Sequence, residues 1–350
     1  LAQKIGGVVV KMCGTGENSL MFGLMMVGTV LSSCLSNTGT AACLLPVALG
    51  ICAAAKIPAS RQLMPLAFAC GWGGIITMVG TPPNIIAVGA MTSAGLEPFG
   101  FFEFAWIGIP VSIAGMLYMM FVGKYLLPKV DLSADQEIEQ EIEATVTDSK
   151  KQIVSGLILA VCIIVMALDL KAISLEMTAI VGALVCVLTG CLTEKQAYSA
   201  IDWVTIFLFA GMMPVSAAMD KTGAGKLIAE WAVSLMGGSP TPIIMTSVLF
   251  IISCTLTQFM SNTAACALLA PVGVAISQQL GASPKAVLMA IGVAASCAFA
   301  TPVGTPPCTL VLGPGGYKFM DYVKVGVPLV VLCFIVSIIV IPMVWPFFPG

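Results

Sequence analysis

Apolar positions run almost without pause along this 350-residue chain, and the polar residues that interrupt them fall into a few short clusters. Runs close to the roughly 20 residues needed to cross a bilayer recur from end to end, as in Ile153 to Leu168, Ile173 to Leu192 and Val325 to Phe347. The pattern predicts an all-α, polytopic membrane protein. Lys4 to Lys11 is short and flanked by lysines, which suits an amphipathic helix lying at the membrane interface. Residues from about Glu17 to Lys56 carry two apolar arms, each too short to cross comfortably, around one polar triplet. A re-entrant hairpin fits that pattern. A segment from about Leu63 to Met91 follows, broken at Gly80-Thr-Pro-Pro83, and then a continuous span from about Phe101 to Tyr125. Residues 129 to 151 are hydrophilic, and the chain then repeats the theme: two spans, Trp203 to Ala218, an interfacial piece around Lys226 to Leu235, a second hairpin around Ser261, a second break around Gly304, and a final span.

The polar interruptions repeat. Ser36-Asn37-Thr38 is followed by Gly-Thr-Ala-Ala-Cys-Leu-Leu-Pro46, and Ser261-Asn262-Thr263 by Ala-Ala-Cys-Ala-Leu-Leu-Ala-Pro271, at an offset of 225. Gly80-Thr81-Pro82-Pro83 and Gly304-Thr305-Pro306-Pro307 follow at an offset of 224, a single-residue gap. Beyond them Phe104-Ala-Trp-Ile-Gly108-Ile-Pro110 parallels Tyr322-Val-Lys-Val-Gly326-Val-Pro328. Two copies of a helix-breaking polar pair inside apolar sequence are what a transporter with internal repeats needs at its binding site. The stretch from Leu1 to Gly14 lines up with that from Gly225 to Gly238, and Leu1 stands where an initiator Met would. The first copy therefore starts late, and the expectation is an N-terminally truncated chain lacking roughly 75 residues, about two to four spans.

Composition agrees with the hydropathy: 59% of residues are hydrophobic and only 9% charged, against about 25% charged in a soluble domain. Mean hydropathy is +1.04. The net charge of −2 says little about partners, because seven of the seventeen acids sit in the linker between Asp131 and Asp148, as a solvated connector does. The thirteen cysteines lie mostly in apolar segments, as small buried hydrophobes, and no CxxC pair points to a metal. Counting alternate loops with the linker inside places eleven of the fifteen basic residues on the cytoplasmic side. On that count the two hairpins enter from opposite sides and the repeats are inverted.

A hairpin tip or a broken helix leaves backbone groups that hydrocarbon cannot satisfy. Half-helix N-termini suit an anion, while freed carbonyls with Asn and Ser oxygens suit sodium. Asn offers both a donor and an acceptor, so Asn37 and Asn262 can serve both ligands. Four residues before each triplet Ser stands another hydroxyl, Ser32 before Ser36 and Thr257 before Ser261, one helical turn away on the same face. Hydroxyls in membrane helices also back-bond or ease close packing, but here the whole set is repeated. There is no His, and Glu17, Glu103, Asp169, Glu176, Asp202, Asp220 and Asp321 all fall near predicted ends. A proton-coupled carrier places a titratable group in the membrane, so the pattern favours sodium.

The paired Ser-Asn-Thr triplets, the paired Gly-Thr-Pro-Pro breaks and the tail Gly313-Pro-Gly-Gly-Tyr-Lys-Phe-Met-Asp-Tyr322 resemble the divalent anion:sodium symporter family, over the whole chain. That resemblance implies symport of a dicarboxylate, citrate or sulfate with Na+, by an elevator motion of a transport domain against a scaffold that dimerises. It implies a remnant of the first scaffold at 1–14, transport-domain repeats at 15–128 and 239–350, an acidic linker at 129–151 and scaffold at 152–238. One Na+ site would use Ser32, Ser36, Asn37 and the Gly80 carbonyl; the other Thr257, the Met260 carbonyl, Asn262 and the Gly304 carbonyl. Substrate would be held by Asn37, Thr38, Asn262 and Thr263, with Thr305 and Pro306 beside them. The implied partners are a small anion, the lipid bilayer and a second copy, in a bacterial inner membrane, with no nucleic acid and no organic cofactor. The sequence departs from the pattern at Cys308, where the first copy has Asn84. Two separated sets of donors favour a C4-dicarboxylate such as succinate or malate; sulfate or a tricarboxylate is the alternative. A cation or arsenite carrier would want an intramembrane acid, and an enzyme a nucleophile, base or metal cluster, neither of which the motif regions supply.

Overall fold

The computed structural model describes residues 16–128, 130, 149–168, 175–201, single residues scattered between 203 and 234, and 241–348. The expected interfacial helix at 4–11, the acidic linker, most of the piece around Lys226 to Leu235, and Asp169, Asp202 and Asp220 lie outside the described residues. The regular elements among the described residues are helical.

The first unit is α1 (Glu17–Cys34), α2 (Asn37–Ala55), α3 (Leu63–Gly73) and α4 (Pro82–Ser93), then α5, which runs from Ala105 through a π turn at Met119–Gly123 to Leu126. Next come α6 (Ser149–Ala167), α7 (Leu175–Leu188) and α8 (Glu194–Ala200). The second unit is α9 (Pro242–Thr257), α10 (Asn262–Leu280), α11 (Pro284–Ala295), α12 (Pro306–Leu312) and α13 (Phe319–Val344). Among the described residues, α5, α10 and α13 are long and apolar enough to cross a membrane.

Each expected interruption is a real gap between helices. Leu35 and Ser36 separate α1 from α2, and Ser261 opens α10 after a short turn from α9. The left-handed cap that ends each second arm also repeats, at Lys56 (φ 54°) and Gly281 (φ 61°), again 225 residues apart. The breaks, however, begin earlier than the Gly-Thr-Pro-Pro phrase predicts. α3 ends at Gly73 and continues as one 3-10 turn over Gly74–Ile76, and α11 ends at Ala295. Pro82 and Pro306 do not stop a helix; they start one. At the first helical position a missing N–H costs nothing and φ is already helical.

The two units interlock through the half-helices that follow the breaks. α4 packs on α10 and α11 of the second unit, and α12 packs on α2 and α3 of the first. Rings fill the seam: Phe68 and Phe299 meet edge to face with centroids 5.3 Å apart, and Trp72 lies 6.2 Å from Phe299. α5 and α13 back the two breaks in the same way. A Cβ on Gly108 would lie 2.7 Å from Ile76 Cα, and one on Gly326 would collide with the Phe299 carbonyl, so each helix reaches its loop only at glycine. Tyr118 Oη donates to Val325 O at 2.8 Å and ties α5 to α13. Seven cysteines, among them Cys70, Cys297 and Cys308, are buried, and all twelve in the described residues are free thiols.

Candidate functional site

Ser36 and Ser261 are N-caps. Their hydroxyls accept from Gly39 N at 3.1 Å and Ala264 N at 3.2 Å, which satisfies one of the donors a helix start leaves open. Asn37 and Asn262, the first residues of α2 and α10, then turn their amides toward the break of their own unit.

The surroundings of the two amides match atom for atom. Ser32 Oγ lies 2.8 Å from Asn37 Oδ1 and 2.7 Å from the Cys70 carbonyl. Thr257 Oγ1 lies 2.8 Å from Asn262 Oδ1 and 2.7 Å from the Ala295 carbonyl. Cys70 and Ala295 are again 225 residues apart. Each hydroxyl has one proton for two acceptors, so oxygen lone pairs are in excess. The Gly80 and Gly304 carbonyls complete the two clusters.

Each amide is satisfied by hydrogen bonds in only one of its two orientations. With oxygen inward it faces acceptors other than the one hydroxyl proton, an arrangement that a cation satisfies. With nitrogen inward, Asn37 donates to Gly80 O at 3.0 Å, Cys70 O at 3.0 Å and Ser32 Oγ at 2.8 Å. Asn262 donates to Gly304 O at 2.9 Å, Ala295 O at 3.2 Å and Thr257 Oγ1 at 2.8 Å. The oxygens around each amide are thus satisfied by its nitrogen, and the oxygen-inward orientation would need a cation among them. Cys70 and Ala295 sit in the last turns of α3 and α11, where the helix dipole is negative and adds to the attraction for a cation. Ser32 and Thr257 are fully buried and Asn37 is 7% exposed, which screens the first cluster from water, while Asn262 in the second is half-buried.

Close approach of the loop requires glycine at three places. A Cβ on Gly80 would stand 2.5 Å from Gly74 O and 2.9 Å from Ser32 O; one on Gly304 would stand 2.6 Å from Thr257 O; one on Gly74 would run into Asn37 Oδ1. The Gly-Thr-Pro-Pro glycines are therefore fixed by space.

Beside the cages lies a cavity of about 420 Å³. Thr38 lines it from the first unit, and Ser261, Gly304, Pro306 and Thr309 from the second. Its remaining wall is apolar: Phe259, Met260, Val303 and Leu310. No lining residue is ionisable. The starts of α2 and α10, with their open N–H groups, flank this space, which gives it a positive partial charge without a fixed cation.

Of the residues expected for the first cation site, Ser32, Asn37 and Gly80 meet, while Ser36 is exposed and occupied as a cap. Of those for the second, Thr257, Asn262 and Gly304 meet, while Met260 lines the cavity instead. Of the residues expected to hold substrate, Thr38 and Pro306 line the cavity and Asn37 and Asn262 do not. Thr305 is buried at the start of α12 and Thr263 is half-buried in α10; neither belongs to the lining. The carbonyls of Cys70 and Ala295 were not anticipated. As backbone atoms they carry no side-chain signature, and only the 225-residue offset between them could have flagged the pair.

The CitMHS citrate transporter family matches this chain over residues 1–172 and again over 163–348. The chain belongs to the citrate transporter family. Among curated members it is 41% identical over 171 residues to the uncharacterized transporter YfbS of Escherichia coli K12, a match that spans 48% of this chain and 28% of the length of that protein. It is 32% identical over 336 residues to an uncharacterized transporter of Haemophilus influenzae, covering 89% of this chain and 70% of the relative. The sodium-dependent dicarboxylate transporter SdcS of Staphylococcus saprophyticus is 24% identical over 367 residues, covering 95% and 70%. The crystal structure of the Alcanivorax borkumensis YdaH transporter shares the fold, with a TM-score of 0.67 at 17% identity over 98% of this chain and 80% of that one. As a member of this family the chain is an integral, multi-pass membrane protein, and its relatives are named as transporters rather than enzymes.

Proposed function

We propose that this citrate transporter family member carries a divalent anion together with sodium. The observation that carries the reading is the duplicated oxygen cage: two Asn amides, one in each unit, each with one hydroxyl and two backbone carbonyls, beside a cavity that residues of both units line. Neutral oxygens and helix C-termini suit sodium, and the N-termini of α2 and α10 suit carboxylate. The lining carries no basic residue, so sodium bound in the cages supplies the charge that balances a dianion.

A C4-dicarboxylate such as succinate or malate fits this cavity best. Phe259, Met260, Val303 and Leu310 give it an apolar wall that methylenes can cover, and compact sulfate has none to offer. Citrate or another tricarboxylate is the second reading, supported by the loss of an amide at Cys308 relative to Asn84 and by the family's description. In our reading the hairpins α1–α2 and α9–α10 are re-entrant, the two units are inverted in the membrane, and together they form a transport domain over 15–128 and 239–350. That domain moves as an elevator against a scaffold over 152–238 through which two copies pair.

Counterflow in proteoliposomes with labelled succinate, citrate and sulfate tests the substrate. Exchange of succinate, competed by malate and fumarate and not by sulfate, is the expected result. Sulfate displacing the label better than malate would reverse the ranking.

A further inference from the structure

The loops behind the two cages are held by different side chains, and the difference accounts for the mismatch in the repeated motif. In the first unit Asn84 Nδ2 donates to three loop carbonyls: Thr77 at 2.8 Å, Gly74 at 3.3 Å and Ile75 at 3.4 Å. Its counterpart at the 224-residue offset is Cys308, a buried thiol with no amide to give. In the second unit the bracing comes from the hairpin instead. Gln258 Nε2 donates to Cys297 O at 3.1 Å, and its Oε1 accepts from Ala300 N at 3.1 Å. The first-unit counterpart of Gln258 is Ser33, whose short side chain bonds back to Val30 O at 2.8 Å. One part of the brace is common to both: Thr77 Oγ1 donates to Ser33 O, and Thr301 Oγ1 to Gln258 O at 2.8 Å.

We propose that Gln258 is a positioning residue for the second cation cage, doing from the hairpin tip what Asn84 does from the half-helix in the first. The segment it grips, Cys297 to Ala300, lies between Ala295 and Gly304, whose carbonyls close that cage. Gln258 also follows Thr257, a cage residue, so hairpin and loop are clamped at the point where their oxygens converge. A further bond from Nε2 to Cys254 O at 3.0 Å fixes the side chain on its own helix. Gln258 reaches no ligand itself; it sets the spacing of the oxygens that do. A half-buried amide bonded to the backbone of its own helix and of the loop is fixed in position from both sides, which is what a cage held to fractions of an ångström needs.

The inference rests on the sodium reading above, and the experiment separates the two. Sodium dependence is measured in the purified protein twice, by thermal stabilisation in detergent and by succinate uptake in proteoliposomes. Gln258→Ser, which installs the first unit's residue, is expected to raise half-maximal sodium about five- to tenfold, the loss of one or two charge-ordering hydrogen bonds. The succinate KM at saturating sodium should move by less than about twofold, because the cage rather than the cavity is altered. Adding Cys308→Asn transplants the Asn84 brace and should restore most of the sodium dependence. The mirror pair, Asn84→Cys rescued by Ser33→Gln, tests the same exchange in the first unit and stands in if Cys308→Asn overpacks its buried position. A sodium-sensitive wild type with an unchanged Gln258→Ser variant overturns the inference alone. So does failure of both rescues. A wild type indifferent to sodium in both assays overturns the sodium reading and this inference with it.

Discussion

Gly304→Ala places a methyl group where the second cage has no room for one. The new Cβ would lie 2.6 Å from the Thr257 carbonyl and 2.8 Å from Ala298 Cβ, where ordinary contact begins at 3.4 Å. Neither neighbour can rotate away, since one is backbone and the other a bare Cβ. The loop must retreat by about 0.8 Å from Thr257, more than the roughly 0.5 Å that a binding constellation tolerates. The displaced atoms include the Gly304 carbonyl itself. A misplacement of about 1 Å can cost about a hundredfold in function, so half-maximal sodium for uptake should rise at least about tenfold. Overpacking should also lower stability by about 1 to 3 kcal/mol. Gly80→Ala is the first-unit twin, with contacts of 2.5 Å to Gly74 O and 2.9 Å to Ser32 O, and should behave alike. Gly50→Ala is the control: it sits in α2 with open space around it, and it should leave sodium dependence unchanged. The assay is initial-rate succinate uptake in proteoliposomes across a sodium titration, normalised to folded protein by size-exclusion recovery. A Gly304→Ala protein that folds normally and keeps the wild-type sodium curve would refute the cage.

Asn37→Ala and Asn262→Ala should each abolish sodium-driven uptake while the protein still reaches the membrane; near-normal uptake in either would remove that half of the site. Uptake should follow a sodium gradient and ignore an imposed pH gradient, because the cage atoms and the cavity lining carry no titratable group. Lys56→Gly should raise thermal stability by about 1 kcal/mol, since Lys56 holds the left-handed cap (φ 54°) that Gly281 holds in the second unit; an unchanged melting curve would show that the strain is met elsewhere.

Much of the helical layout was legible because each polar triplet is a cap, a turn and a helix start written together. Ser-Asn-Thr marks where α2 and α10 begin, and the hydroxyl four residues earlier marks the cage face of α1 and α9. The Gly-Thr-Pro-Pro phrase misled on where the helices stop, because proline marks the start of α4 and α12 while α3 ends at Gly73 with no breaker beyond glycine itself. The cage carbonyls of Cys70 and Ala295 had no signature, since any residue supplies a carbonyl. Gln258 was passed over for a related reason. Its role depends on a loop 39 residues downstream that only the folded chain brings to it, and the absence of Asn at position 308 was the single hint that something else must hold that loop.

The central claim is that sodium and a dianion share one carrier through the two Asn cages. Simultaneous measurement of radioactive sodium and labelled succinate entry into proteoliposomes, for wild type and for Asn37→Ala and Asn262→Ala, tests it most directly. The account predicts that in the wild type each solute speeds the entry of the other, and that both fluxes vanish together in either variant. Succinate entry that proceeds at full rate without sodium, or sodium entry that ignores succinate, would contradict it.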